Sequence, residues 1–336
     1  MNKKALVIYD EDSLYAGRLQ QFLCKKEGNH FQVFSFTDKE DLYKACQMQG
    51  SIKAEILLVA ESCFDKELLV LGAKHIFILN ETGLRRHPEY ANLNKYQSAG
   101  TLFQQILLEY ADREKEVIPR FYGKKKAKIV GVYTPITRCF QTGFSLALSQ
   151  VLGKKGRVLY INFEQYSGFS GLFQKGYIKD LSDLVYFFTY SGDKFLYWLE
   201  GVVEHFGKVE YVPPVLTGAS LAEVSKGVWT DMLELISTDA GYDYIVLDLS
   251  DSMQGIYDVL DLCDRIYTIT RSDPMSTARL NQFNEILKNV RYANLKEKIH
   301  YLTVPFGAKK EVAFEEMIHR ELTDYANEVL GDDLYE

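Results

Sequence analysis

No apolar run in this 336-residue chain approaches the roughly 20 residues that a bilayer-spanning helix needs. The start, Met1-Asn-Lys-Lys4, lacks the apolar core of a signal peptide. Both absences point to a soluble, cytoplasmic protein. Cysteine is scarce: five residues, at 24, 46, 63, 139 and 263, odd in number and at no metal-ligand spacing. They are expected as reduced core thiols. Six histidines, at 30, 75, 87, 205, 300 and 319, show neither zinc spacing nor a Ser or Cys neighbour that suggests a triad. A basic excess is also missing. Lys and Arg number 39 against 46 Asp and Glu, a net charge of −7, which argues against a nucleic-acid partner. The only basic run, Lys124-Lys-Lys126, is expected as a solvated linker end. The acidic close, Gly331-Asp-Asp-Leu-Tyr-Glu336, preceded by Glu315 to Leu322, would be repelled by an anionic leaflet, so no membrane anchor is expected there.

What is present suggests two α/β domains. Residues 1–110 alternate short apolar runs with helical stretches and end in the amphipathic Leu102–Leu108. Residues 111–126, charged and holding Pro119, are the expected linker. Residues 127–336 form the second unit, with no internal repeat. Its opening is the most informative stretch. A strand-like Ala127–Tyr133 leads into a loop, a helix-like Phe144–Leu152 follows, and after Gly153-Lys-Lys-Gly156 comes a second apolar strand, Arg157–Asn162. This is the βαβ frame of a phosphate-binding loop. Such a loop needs glycines so that backbone N–H groups converge on phosphate, and a lysine to offset its charge. Here the loop core, Ile136-Thr-Arg-Cys-Phe-Gln-Thr142, has neither.

Over residues 125–310 the chain resembles the MinD/ParA family, whose deviant Walker A reads KGGxGK[ST][ST]. Against that pattern Ile136 takes the place of the signature lysine, and Thr137, Arg138 and Phe140 replace glycines. Gln141 stands at the Walker lysine, Thr142 keeps the hydroxyl residue, and Gly143 follows. Val158–Glu164 resembles the D-x-D strand, with Asn162 and Glu164 at its two acidic positions. Tyr242–Asp248 resembles the Walker B strand, and Cys263–Ser276 the strand and loop beyond it. The resemblance implies ATP with Mg²⁺ as ligands, bound through Arg138, Gln141, Thr142, Gly143 and Asp248, with Thr142 and Asp248 serving the metal. No catalytic residue is assigned, because Gln141 offers no charge and Asn162 cannot act as a carboxylate base.

The N-terminal region resembles a response-regulator receiver. Ala5–Asp12 is a strand ending in acidic residues, Leu14–Leu23 a helix, Glu55–Ala60 the third strand and His75–Asn80 the fourth. Lys95–Ala99 marks the fifth, where a lysine is expected. The phosphoacceptor position falls on Ala60, which has no carboxylate. Glu61 is adjacent, but successive strand residues face opposite sides, and Asp10 to Asp12 are expected as a solvated acidic turn.

A pseudo-receiver followed by a MinD/ParA-like domain is the arrangement of TadZ/CpaE proteins. That resemblance implies a non-hydrolysing localisation and assembly scaffold for a Tad-type pilus or secretion apparatus. It would be a homodimer with pilus or secretion assembly proteins as partners, recruited to the inner face of the membrane, with ATP at most a structural ligand. The alternatives are a weak MinD/ParA-type ATPase and a phosphorylation-independent signalling protein. The aromatic stretch 165–215 is expected as core filling, with a protein-binding surface as its functional alternative.

Overall fold

The computed structural model describes residues 4–26, 29, 31–47, 52–113, 125–136, 139–304 and 321–333. The chain divides into two compact units, Met1–Glu116 and Val117–Glu336.

In the first unit, β1 (Lys4–Tyr9), β2 (Phe31–Phe36), β3 (Ala54–Ala60), β4 (His75–Asn80) and β5 (Ala91–Asn94) pair in parallel in the order β2-β1-β3-β4-β5. That is the flavodoxin-like winding, with its switch point between β1 and β3. A parallel sheet covered on both faces favours continuous apolar strands, and in β3 every residue except Glu55 is buried. Asp12 caps the helix α1 (Ser13–Lys25) by accepting from the Leu14 and Tyr15 amides. Helices α2 (Lys39–Gln47) and α3 (Ala99–Arg113) complete the unit.

Two expectations change here. Helix α3 continues to Arg113 and buries Phe103, Ile106, Leu107 and Tyr110, so it takes the first three residues of the expected linker. Residues 114–124 of that linker lie outside the described residues. The fifth strand is Ala91–Asn94, and Lys95 follows its carboxyl end.

The second unit carries β6 (Lys128–Val132), β7 (Val158–Asn162), β8 (Glu204–Phe206), β9 (Val209–Val212), β10 (Tyr244–Asp248), β11 (Arg265–Ile269) and β12 (Ile299–Leu302). Their order is β12-β11-β6-β10-β7-β9-β8, parallel except for the β8–β9 hairpin. Helix α4 (Gln141–Leu152) follows β6 and packs on β7 and β10. Its other side meets the C-terminal helix Glu321–Asp333, where Phe144, Leu148 and Val151 share a core with Leu322, Ala326 and Leu330. A helix apolar on all sides needs such cover.

One structural anchor carried no sequence signal. Arg157, just before β7, reaches Glu200 at 2.7 Å and Glu210 at 2.8 Å, and lies 4.2 Å from the Tyr242 ring centre. Full partnering is what lets this charge stay buried.

The aromatic stretch splits. Phe169, Phe187, Phe195, Tyr197 and Trp198 are buried, whereas Tyr166, Tyr186 and Tyr190 are exposed. Cys63, Cys139 and Cys263 are buried, but Cys24 is exposed, so the core-thiol expectation fails there. Among the described residues, no helix is long and apolar enough to cross a membrane, and no His/Cys/Asp/Glu group could hold a metal ion.

Candidate functional site

The strand order places β6 beside β10, so the loop leaving β6 faces Asp248 at the end of β10. Thr134 starts that loop by donating its hydroxyl to the Ile269 carbonyl at 2.7 Å, and it accepts from the Ile136 amide at 3.2 Å. Thr137 and Arg138 lie outside the described residues, and the expected role of Arg138 with them. Phe140 then takes φ 63° and ψ 23°, the left-handed region, and ends the loop without a side-chain cap on α4. That conformation costs an L-residue about 1–2 kcal/mol. The resemblance puts a glycine at this position. Here a phenylalanine makes the left-handed turn.

Gln141 is the first residue of α4 and is buried. Its Nε2 donates to Asp248 Oδ1 at 2.6 Å and to the Leu249 carbonyl at 2.8 Å, and lies 3.3 Å from Glu164 Oε1. On the other side, Asp248 Oδ2 accepts from the Tyr160 hydroxyl and from Asn162 Nδ2, both at 2.9 Å. Asn162 Oδ1 in turn accepts from the Glu164 amide at 3.0 Å. Thr142 is half-buried and Gly143 buried in the same helical turn. Of the sequence-derived site residues, Gln141, Thr142, Gly143 and Asp248 therefore share one end of the sheet. Tyr160 is an added member, two residues before Asn162 on β7 and so on its face.

The electrostatics follow from a buried acid without a cation among the described groups. Burial pushes Asp248 above the usual carboxylate range, against the hydrogen bonds from Gln141 and its neighbours. Glu164 is pushed up to about 7, first by burial and then by the charges of Asp248 and Asp251. Asp248 is fully excluded from solvent and turned to protein donors. Among the described residues, Asp248 is engaged by the side-chain donors of Gln141, Tyr160 and Asn162, and the group nearest its Oδ1 is a neutral amide.

The N-terminal sheet carries a different cluster at its carboxyl edge. Lys95 is buried and pairs with Asp10 at 2.8 Å and Glu81 at 2.7 Å. Asp10 is thus a buried, paired carboxylate, which corrects the expected solvated turn; only Glu11 and Asp12 are exposed. Ala60 is wholly buried, and β3 ends there. Glu61 begins a 3₁₀ turn, so strand alternation no longer governs it, and its side chain is buried at the sheet edge.

No protein-family model matches the chain. No curated protein matches it either. Among solved structures, it is similar to a plasmid partition protein of Borrelia burgdorferi bound to AMPPNP, at 17% identity over 62% of this chain and 83% of that one, with a TM-score of 0.43. A ParA family ATPase from Chlorobium tepidum is similar at 15% identity, covering 61% and 94%, with a TM-score of 0.44. Apo McdA from Cyanothece is similar at 13%, covering 61% and 82%, with a TM-score of 0.40. At these identities and TM-scores, the likenesses assign neither a family nor an activity to this chain.

Proposed function

We propose that this chain is a non-hydrolysing localisation and assembly scaffold of the TadZ/CpaE type, serving a Tad-type pilus or secretion apparatus as a homodimer. The observation that carries the non-hydrolytic reading is the Gln141 amide bound to Asp248. A neutral donor replaces the charge that would stabilise phosphoryl transfer, and the carboxylate it holds is sealed from solvent. ATP, where it binds, is a structural ligand that stabilises one state of the scaffold by mass action. Recognition of assembly proteins is supported by exposed apolar side chains. Tyr166, Ile178 and Leu216 border one cleft of about 500 Å³ beyond the ends of β7 and β9.

The test is ATP turnover by the purified chain with Mg²⁺, alongside calorimetric titration and light scattering. No turnover above the protein-free blank is expected, in the wild type or in Asp248→Ala. Turnover that disappears in Asp248→Ala would establish the weak ATPase instead. For the cellular role, a fluorescent fusion should gather where the pilus machine assembles, and deleting the gene should abolish pili. A diffuse fusion with normal piliation would sink the scaffold reading.

A further inference from the structure

We propose that Glu61 is an internal oxyanion ligand, which fills an anion seat at the carboxyl edge of the N-terminal sheet and locks the loop after β4 with no covalent modification or bound ion. The seat consists of the consecutive amides of Glu81 and Thr82, at 3.1 and 3.2 Å from Glu61 Oε2, and the Thr82 hydroxyl at 3.0 Å. Arg86 adds its guanidinium 3.6 Å from Oε1. Paired amides, a hydroxyl and a guanidinium form the donor set for carboxylate, phosphate or sulfate alike. The chain supplies its own occupant: the Glu61 side chain is 2% exposed. Burial alone would raise its carboxyl, but the hydrogen bonds from Glu81 and Thr82 outweigh that and hold it below the usual range.

The clasp is reciprocal. Glu81 Oε2 accepts from the Ser62 amide at 3.2 Å, while its Oε1 takes the Lys95 ammonium. Asn80 closes the loop from below, accepting from the Gly83 amide at 2.7 Å and donating to the Leu84 carbonyl at 2.5 Å. The loops after β3 and β4 therefore hold each other through two glutamates. A tethered carboxylate meets its seat at high effective concentration, so a free anion competes poorly. The surface this fixes carries Leu84, 63% exposed, and it is presented permanently.

Hydrogen exchange of the full chain tests the proposal, comparing wild type with Glu61→Ala and Glu61→Gln. In Glu61→Ala the Glu81 and Thr82 amides should exchange about tenfold faster, with β1 and β3 unchanged. Acetate or inorganic phosphate should restore the slow rate by entering the emptied seat. Glu61→Gln, of the same shape, should also exchange faster, but added anion should do nothing because the amide still occupies the seat. The proposal is overturned by unchanged exchange at 81–82, by equal loosening of the whole unit, or by failure of both anions to slow Glu61→Ala. Should Glu61→Ala not fold, Glu61→Gln decides alone: wild-type exchange at Glu81 and Thr82 would refute the seat.

Discussion

Each unit brings one nitrogen-bearing side chain to the carboxyl edge of its parallel sheet and surrounds it with oxygens. In the N-terminal unit it is Lys95, between Asp10 and Glu81. In the C-terminal unit it is Gln141, among Asp248, Glu164 and the Leu249 carbonyl. The geometry is alike, but the charge is not. Burial works against the Lys95 ammonium, yet the hydrogen bonds to Asp10 and Glu81 prevail and its pKa is raised. Without such a cation, Asp248 and Glu164 are both pushed upward instead. A buried carboxylate can be tolerated by a counter-charge or by neutral donors and a readiness to take a proton. One protein uses both solutions: Glu81, paired with Lys95, is held below its usual range, whereas Asp248 and Glu164 are pushed above theirs.

The most severe way to break the comparison is to remove the cation that exists. Lys95→Met strands Asp10 in the core and should destabilise the N-terminal unit by about 3–5 kcal/mol. Hydrogen exchange of the β1 and β3 amides would show it. Both tryptophans, Trp198 and Trp229, belong to the other unit, so their fluorescence transition should stay in place. Loss of protection in both units alike would mean that the pair does not act locally.

The second prediction sharpens the contrast through pH. Glu164 has a folded pKa of about 7 against an ordinary value of 4.5. At Glu164 the folded state therefore binds more protons than the unfolded one between those values, so this group's contribution to stability is fully present below about 4.5 and is lost as pH rises toward 7. Asp248, also raised, adds a slope of the same sign. Glu164→Gln should flatten the curve and gain about 1–2 kcal/mol at pH 8, after discounting for partial exposure. Trp229, whose ring centre lies 5.2 Å from that of Phe163, is the reporter. A wild-type stability that instead rises relative to Glu164→Gln across this window would show Glu164 to be held as an anion.

The smallest effect concerns the strained turn. Phe140→Gly should raise the stability of the C-terminal unit by about 0.5–1 kcal/mol, because glycine adopts the left-handed region without penalty. A lower denaturation midpoint would mean that the half-exposed ring contributes more packing than its backbone loses.

Much of the fold was legible because apolar runs of the right length are strong signals. His75–Asn80 is a strand over the span its sequence suggests, and Asp248 ends β10. The start of the linker differs by three residues because helix α3 carries its buried face to Ala111 and runs on through the exposed Asp112 and Arg113. Asp10 was misjudged because acidic residues read as solvated until a partner is known, and its partner, Lys95, lies far along the chain. The bonds of Glu61 to Glu81 and Thr82 were hidden for the same distance in sequence. The Arg157 anchor was hidden likewise, since Glu200, Glu210 and Tyr242 are scattered in sequence.

By itself, then, the sequence determined several of the strands, the βαβ frame and the residue types in the loop, because these depend on residue type and near-neighbour spacing. Only the tertiary structure decided that Gln141 turns inward to Asp248, that Phe140 keeps a glycine's backbone, and that Glu61 occupies an anion seat. Each depends on which distant donors and acceptors the sheet order brings within hydrogen-bond reach, and on burial, which alone makes those contacts strong and their charges costly.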